Sequence, residues 1–207
     1  MDVHEDSQDT SFPELGSPED LEQRLRLLPV GDMARGFVFT SILETVRQDA
    51  GAEALQRCLA VVGETTFLSF FNYPFRSLLK LLYTGAWELS EKRGGFDGAM
   101  RWIARGTVPS FLQSSVGRVL LSVGGVNMKR LINGFPLAYP TVFSHGACKV
   151  IWTGERSGLG RMSGILLPTL FLESSMARML EPLQPRGLFI RARRLAPMEM
   201  EMEFSWQ

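Results

Sequence analysis

The sequence predicts an α+β fold: an N-terminal helical lobe packed on a C-terminal four-stranded antiparallel sheet of order β-β-α-β-β. Three observations carry that reading. From Gly36 to Asn133, apolar residues recur at helical spacing between glycine and proline breaks. After Ser144 the pattern turns strand-like, and one helical stretch separates two pairs of strands. The closing stretch alternates strictly. Met198, Met200, Met202, Phe204 and Trp206 take one face, and Glu199, Glu201, Glu203 and Ser205 the other.

The chain has 207 residues, 45% of them hydrophobic, which suffices for one packed core. Residues 1–16 read as an acidic, aperiodic, disordered tail. Residues 17–144 read as the helical lobe and 145–207 as the sheet subdomain, with 17–207 one compact unit. Net charge is zero but unevenly spread. Residues 1–28 carry eight acids and two bases, a net of −6; residues 29–207 carry fourteen acids and twenty bases, a net of +6. Met1 is followed by acids where a secretory signal would be basic, and no apolar run reaches the ~18 residues of a membrane span. The expectation is a cytoplasmic protein.

The elements follow in order. Ser17 caps a first short helix with Pro18 in its opening turn, ending near Pro29. Phe37–Gln48 is helical and stops at Gly51; Ala52–Val62 follows and stops at Gly63. Thr65–Phe71 reads as a short helix or a buried turn. The longest helix runs from Pro74 to about Lys92, with Phe75, Leu78, Leu79, Leu82, Ala86 and Leu89 in register. Helices over Phe96–Arg105, Pro109–Ser114, Val116–Val123 and Met128–Asn133 complete the lobe, and Gly134–Pro140 reads as a proline-punctuated turn. Strands are expected at Ala147–Thr153 and Gly160–Leu167, a helix at Pro168–Leu183, and a final hairpin from Leu188. That hairpin sets Arg191 and Arg193 opposite the glutamates.

Catalytic and metal chemistry find little support. His4 and His145 are the only histidines, Cys58 and Cys148 the only cysteines, and none stands at zinc-ligand spacing. His145 reads as a strand-edge residue and Cys148 as a small buried hydrophobe; on a strand, their offset of three points them to opposite faces. No nucleophile elbow or Walker sequence is present. Gly158-Leu-Gly160-Arg-Met-Ser-Gly164 is followed by a strand-like run rather than a helix, so it reads as a hairpin turn and not a phosphate loop. The bases Arg101, Arg105, Arg118, Lys129 and Arg130 are too sparse for a nucleic-acid stripe.

Residues Gly36–Trp206 resemble a family of paralogous domains of unknown function from myxobacteria. The phrases that carry the likeness are Arg35-Gly36-Phe37, Phe71-Asn72-Tyr73-Pro74, Leu82-Tyr83-Thr84, Gly94-Gly95-Phe96, Val116-Gly117-Arg118, Trp152-Thr153-Gly154 and Phe204-Ser205-Trp206. That family in turn distantly resembles the haem–nitric-oxide-binding (H-NOX) domain, whose helical lead and β-β-α-β-β unit it shares. The H-NOX hallmark is a Tyr-x-Ser-x-Arg strand gripping the haem propionates. Trp152-Thr153-Gly154-Glu155-Arg156 stands there, with Arg156 alone retained. The H-NOX axial histidine falls near Asn133–Ala138, at Leu137 or Ala138, and no histidine occupies that stretch; Tyr139 is adjacent. The resemblance therefore implies an H-NOX-like fold and argues against its cofactor, so none is expected.

The function expected is a non-enzymatic signalling module that works through protein contacts, with Trp152, Arg156, Arg101, Arg105, Arg118, Lys129 and Arg130 as candidate interaction residues. The hosts of the resembled family suggest a response regulator or Ras-like GTPase as partner, in a circuit for motility or cell polarity. The acidic tail is a candidate screen for the basic face. Three alternatives stand: a sensor holding a small apolar ligand in an H-NOX-like cavity without haem, a haem-based gas sensor with unusual ligation, and, last, an enzyme.

Overall fold

In the computed structural model, which describes residues 13–207 apart from Val126, the helices come first and the sheet last. Helix α1 (Pro18–Leu27) starts where Ser17 Oγ accepts the Asp20 N–H at 3.1 Å. Strand β1 (Met33–Arg35) pairs antiparallel with β2 (Asn72–Pro74), an unexpected ribbon whose three-residue strands leave no periodicity to read. Between them, α2 (Gly36–Val62) is two helical stretches joined at Gly51, whose φ of 87° interrupts the helix where a stop was expected. Gly36 has no room for a side chain: a Cβ there would meet the Leu68 carbonyl at 2.1 Å.

Helix α3 (Phe75–Arg93) is the central rod of the lobe, with Leu78, Leu79, Leu82, Ala86 and Leu89 fully enclosed. Helices α4 (Phe96–Gln113), α5 (Ser115–Gly124) and α6 (Met128–Val142) follow. Two expectations change here. Pro109 lies inside α4, and Pro136 and Pro140 inside α6, where breaks were expected. Each proline removes one helical hydrogen bond, but α6 buries Leu131, Ile132, Ala138, Tyr139 and Val142, and that burial outweighs the loss.

The main sheet has order β3-β4-β6-β5, all antiparallel, from β3 (Ala147–Gly154), β4 (Ser157–Ser163), β5 (Phe189–Ala196) and β6 (Glu199–Ser205). Helix α7 (Thr169–Leu180) crosses between β4 and β5. Strand β4 sits earlier than expected. Its glycines lie in the strand itself, and the turn is at Glu155-Arg156. A Cβ on Gly158 would strike the Phe204 ring at 2.6 Å, so glycine there lets β6 pack its aromatic side chain across β4. Ile165, Leu166 and Leu167 form a wholly buried connection rather than strand.

The alternation of β6 holds. Met200, Met202 and Phe204 are buried, and Arg193 pairs across from Glu201 and Arg191 from Glu203. Glu201 is the exception on the polar face, only 5% exposed beneath Arg193 and Arg161, with Arg193 Nη2 at 2.6 Å. Those arginines, Arg193 first, hold its carboxyl below the usual range. Along the outer edge of β5, the Ala192 N–H is taken by Glu173 of α7 at 2.7 Å.

Two polar systems cross from lobe to sheet. In the first, Asp20 of α1 is fully buried; it takes the Arg24 guanidinium and the Tyr83 hydroxyl. Arg24 also donates to the Leu166 carbonyl at 2.7 Å, and Arg194 of β5 donates to the carbonyls of Ile165, Leu167 and Pro197. Burial lowers the Arg194 pKa to about 10, within the range where it stays charged at neutral pH. The −6 assigned to residues 1–28 thus includes charges that are internal. In the second system, His145 follows α6 and stands beside Asp32, which precedes β1; there Ser144 N–H donates to the Met33 carbonyl at 2.9 Å.

Residues 1–12 of the expected tail lie outside the described residues. At its end, Gly16 accepts the Trp87 indole N–H at 2.8 Å and meets the Phe96 ring.

Candidate functional site

Where α6 faces the sheet, the lobe leaves a cavity of about 120 Å³. Helix α6 contributes Ile132, Phe135, Ala138, Tyr139 and Val142; β3 contributes Cys148 and Val150; β4 and β6 contribute Gly160, Met162, Met202 and Phe204; α2, α4 and α7 close the rest. The local sequence explains the wall. Successive turns of α6 put Ile132, Phe135 and Tyr139 on one face, and the small Ala138 beside them and Gly160 of β4 opposite leave space.

No charged group lines this space. The Thr107 hydroxyl is committed to the Ala104 carbonyl at 2.8 Å. Burial pushes the Cys148 thiol up to about 11, and burial, seconded by Cys148 and Asp32, raises the Tyr139 phenol, so both stay neutral at neutral pH. Tyr139 is 9% exposed, and its hydroxyl is buried without a hydrogen-bond partner among the described residues.

Close to Tyr139 in the fold, His145 has an imidazole only 8% exposed, edge-on to Phe75 with ring centroids 4.3 Å apart. Its Nδ1 lies 3.4 Å from Asp32 Oδ2, and neither ring nitrogen nor that carboxylate oxygen has a hydrogen-bond partner among the described residues. Burial lowers the His145 pKa, against the opposing pull of Asp32. His145 is therefore an enclosed group rather than a strand-edge one. Tyr139 and the Asp32–His145 pair escape sequence reasoning because their isolation depends on which elements meet; the one available sign was polar residues beside an apolar helical stripe.

The expected interaction residues do not form one face. Arg101 pairs with Glu173 at 3.2 Å, and Arg105 forms a two-pronged pair with Glu181, with Nη1 at 2.6 Å and Nη2 at 3.0 Å. Both therefore fasten α4 to the α7 region. Arg118 and Arg130 are exposed on α5 and α6. Trp152 and Lys129 do meet: the ammonium lies 5.3 Å from the indole centroid. The indole N–H donates to Asn133 at 3.0 Å while the ring packs on Phe204 and Trp206, so Trp152 seals α6 against β3. Arg156 is exposed on the β3–β4 turn and lines no part of the cavity.

The fold is that of H-NOX proteins. The Fe(II) unliganded H-NOX protein from K. algicida superimposes with a TM-score of 0.63 at 15% identity, covering 84% of this chain and 96% of that one. An S. oneidensis H-NOX protein in the Fe(II)NO state gives a TM-score of 0.63 at 9% identity, covering 84% and 99%. The SO2144 H-NOX domain from Shewanella oneidensis in the Fe(II)CO state gives 0.63 at 10%, covering 84% and 98%. Within that architecture the chain belongs to the family described as a protein of unknown function, DUF2378, which matches residues 28–207. No curated protein matches it.

A haem does not fit the lining. The cavity is well below the roughly 300–1,000 Å³ of ordinary ligand pockets. Of the two positions expected for an axial ligand, Ala138 faces the cavity and Leu137 is exposed to solvent. Cys148 and Tyr139 line the space as neutral groups whose deprotonation burial opposes, so a thiolate or phenolate ligand there would have to lose its proton on binding. The thioethers of Met162, Met176, Met179 and Met202 remain, but methionine typically serves haem iron opposite a histidine, and none lines the space. Among the described residues no cluster of three or more His, Cys, Asp or Glu could hold a metal ion, and no helix is long and apolar enough to cross a membrane.

Proposed function

We propose that this chain is a non-enzymatic regulatory module that signals through contact with another protein. The observation that supports this reading is the loop before β2. Leu68, Phe70 and Phe71 are 48%, 72% and 51% exposed, and the two phenylalanine rings pack on each other with centroids 4.9 Å apart. Monomeric proteins rarely gather large apolar side chains this closely on the surface without a partner for them.

The loop is also wired to the cavity wall. Arg35 donates to the Phe70 carbonyl at 2.8 Å and to the Thr141 carbonyl of α6 at 3.1 Å. A protein docked on Phe70 and Phe71 therefore pulls, through one guanidinium, on the helix that carries Tyr139. The partner class for this reading is a response regulator or a Ras-like GTPase presenting an apolar patch, in a motility or polarity circuit. The test is interferometry of the full chain against purified members of those two classes. Micromolar binding to at least one, lost in the Phe70→Ser/Phe71→Ser double variant at unchanged melting temperature, is the expected result. Binding that survives the double variant removes the loop from the account.

A second reading is favoured by the cavity: the same module senses a small apolar molecule held between α6 and the sheet.

A further inference from the structure

The geometry points to the α6–sheet cavity as a binding site for a small neutral molecule with an apolar body about the size of a benzene ring and one hydrogen-bonding group, which the Tyr139 hydroxyl receives. This inference rests on the second reading above and gives it a ligand class. Size comes first. The space is about 120 Å³, close to the 150 Å³ of an engineered apolar cavity that stays dry and binds benzene. On this size argument one ring is expected to enter and two fused rings to be excluded.

Charge comes next. No ionised group lines the cavity, and an ion entering it has no counter-charge to repay its lost hydration. The polar end follows from Tyr139. A buried hydroxyl without a partner costs stability that a ligand's hydrogen bond would recover. Thr107, by contrast, has its bond within α4. Ser175, the other hydroxyl in the wall, reaches the same Ala104 carbonyl at 3.4 Å, so Tyr139 is the polar group in the wall whose hydroxyl has no partner among the described residues.

The opposite wall supplies the control. Gly160 lines the cavity, and a Cβ built there finds nothing nearer than Met202 at 3.8 Å, an ordinary contact. Valine at this strand position fills the space without displacing backbone.

The experiment uses the full chain with benzene, phenol, benzoate and naphthalene as probes, read by thermal shift and by ligand-observed NMR. Benzene and phenol are expected to raise the melting temperature, with phenol about fivefold tighter. Naphthalene and benzoate are expected to leave it unchanged. Tyr139→Phe is expected to keep benzene binding and abolish the preference for phenol, and Gly160→Val to abolish both. Should Gly160→Val fold poorly, Gly160→Ala serves, with binding weakened several-fold. Absence of benzene and phenol binding, binding of benzoate, or a phenol preference unchanged in Tyr139→Phe overturns the proposal. Partner binding measured on the same samples separates the two readings. Probes that fail while the partner still docks through Phe70 and Phe71 sink the ligand site alone.

Discussion

The two polar systems that join lobe to sheet are built from similar groups and end in opposite states. Around Asp20, each buried charge meets a partner: Arg24 and Tyr83 on the carboxylate, and backbone carbonyls on Arg24 and Arg194. Around His145, the imidazole nitrogens, Asp32 Oδ2 and the Tyr139 hydroxyl are enclosed without hydrogen bonds among the described residues. A completed network in a low dielectric fixes one arrangement, whereas an incomplete one stores a cost that a rearrangement, a water or a ligand relieves. The first is a fastener and the second a place where the seam can respond.

Three measurements sharpen or break that contrast. Asp20→Ala strands Arg24 and Tyr83 inside the protein and is expected to lower unfolding free energy by about 3–5 kcal/mol in urea titration. A loss under 1 kcal/mol would show that water reaches the site and that the fastener is not closed.

The His145 effect is intermediate and visible only with pH. Its folded-state pKa lies below the ordinary value of 6.5, so on acidification the unfolded chain takes up the proton first. This contribution is complete above about pH 6.5 and declines as pH falls below it, by no more than about 1.4 kcal/mol per pH unit for one proton. His145→Gln is expected to flatten the stability profile between pH 7 and 5. An unchanged slope assigns the acid sensitivity to other groups.

Tyr139→Phe has the smallest expected effect and the opposite sign. Removing a hydroxyl that bonds to nothing is expected to leave stability equal or raised, by up to about 1 kcal/mol in the same urea titration. A loss above 1 kcal/mol would mean that the hydroxyl is bonded in solution and that the two systems are alike.

How much of this was legible depended on the distance over which each feature is decided. The β5–β6 hairpin could be read down to its facing charges, Arg191 and Arg193 against the glutamates, because alternation is local; which glutamate meets which arginine came from the register. The stop at Gly51 was equally local. The run Ile165–Leu167 misled because a buried connection and a buried strand share one apolar signature, and what marks the connection is that Arg24 and Arg194, distant in sequence, take its carbonyls. Pro136 and Pro140 misled because the packing of α6 overrides the break they favour. At the candidate site, the sequence marked Ala138 as a position without a ligand histidine, and the structure places it in the cavity wall. The basic residues marked for docking were counted as free charges, but Arg101 and Arg105 are paired with glutamates of the α7 region.

The bond from Ala192 N–H to Glu173 has a consequence beyond folding. An open strand edge is a template on which another chain can zip up, and repeated zipping makes fibres. On β5 one of the edge donors is already occupied, and Arg191 and Arg193 stand exposed beside it. With that border guarded in this way, the β5 edge is a poor dock for an incoming strand. An incoming strand would have to displace Glu173 and face Arg191 and Arg193 to add at β5, which disfavours polymerisation through that edge.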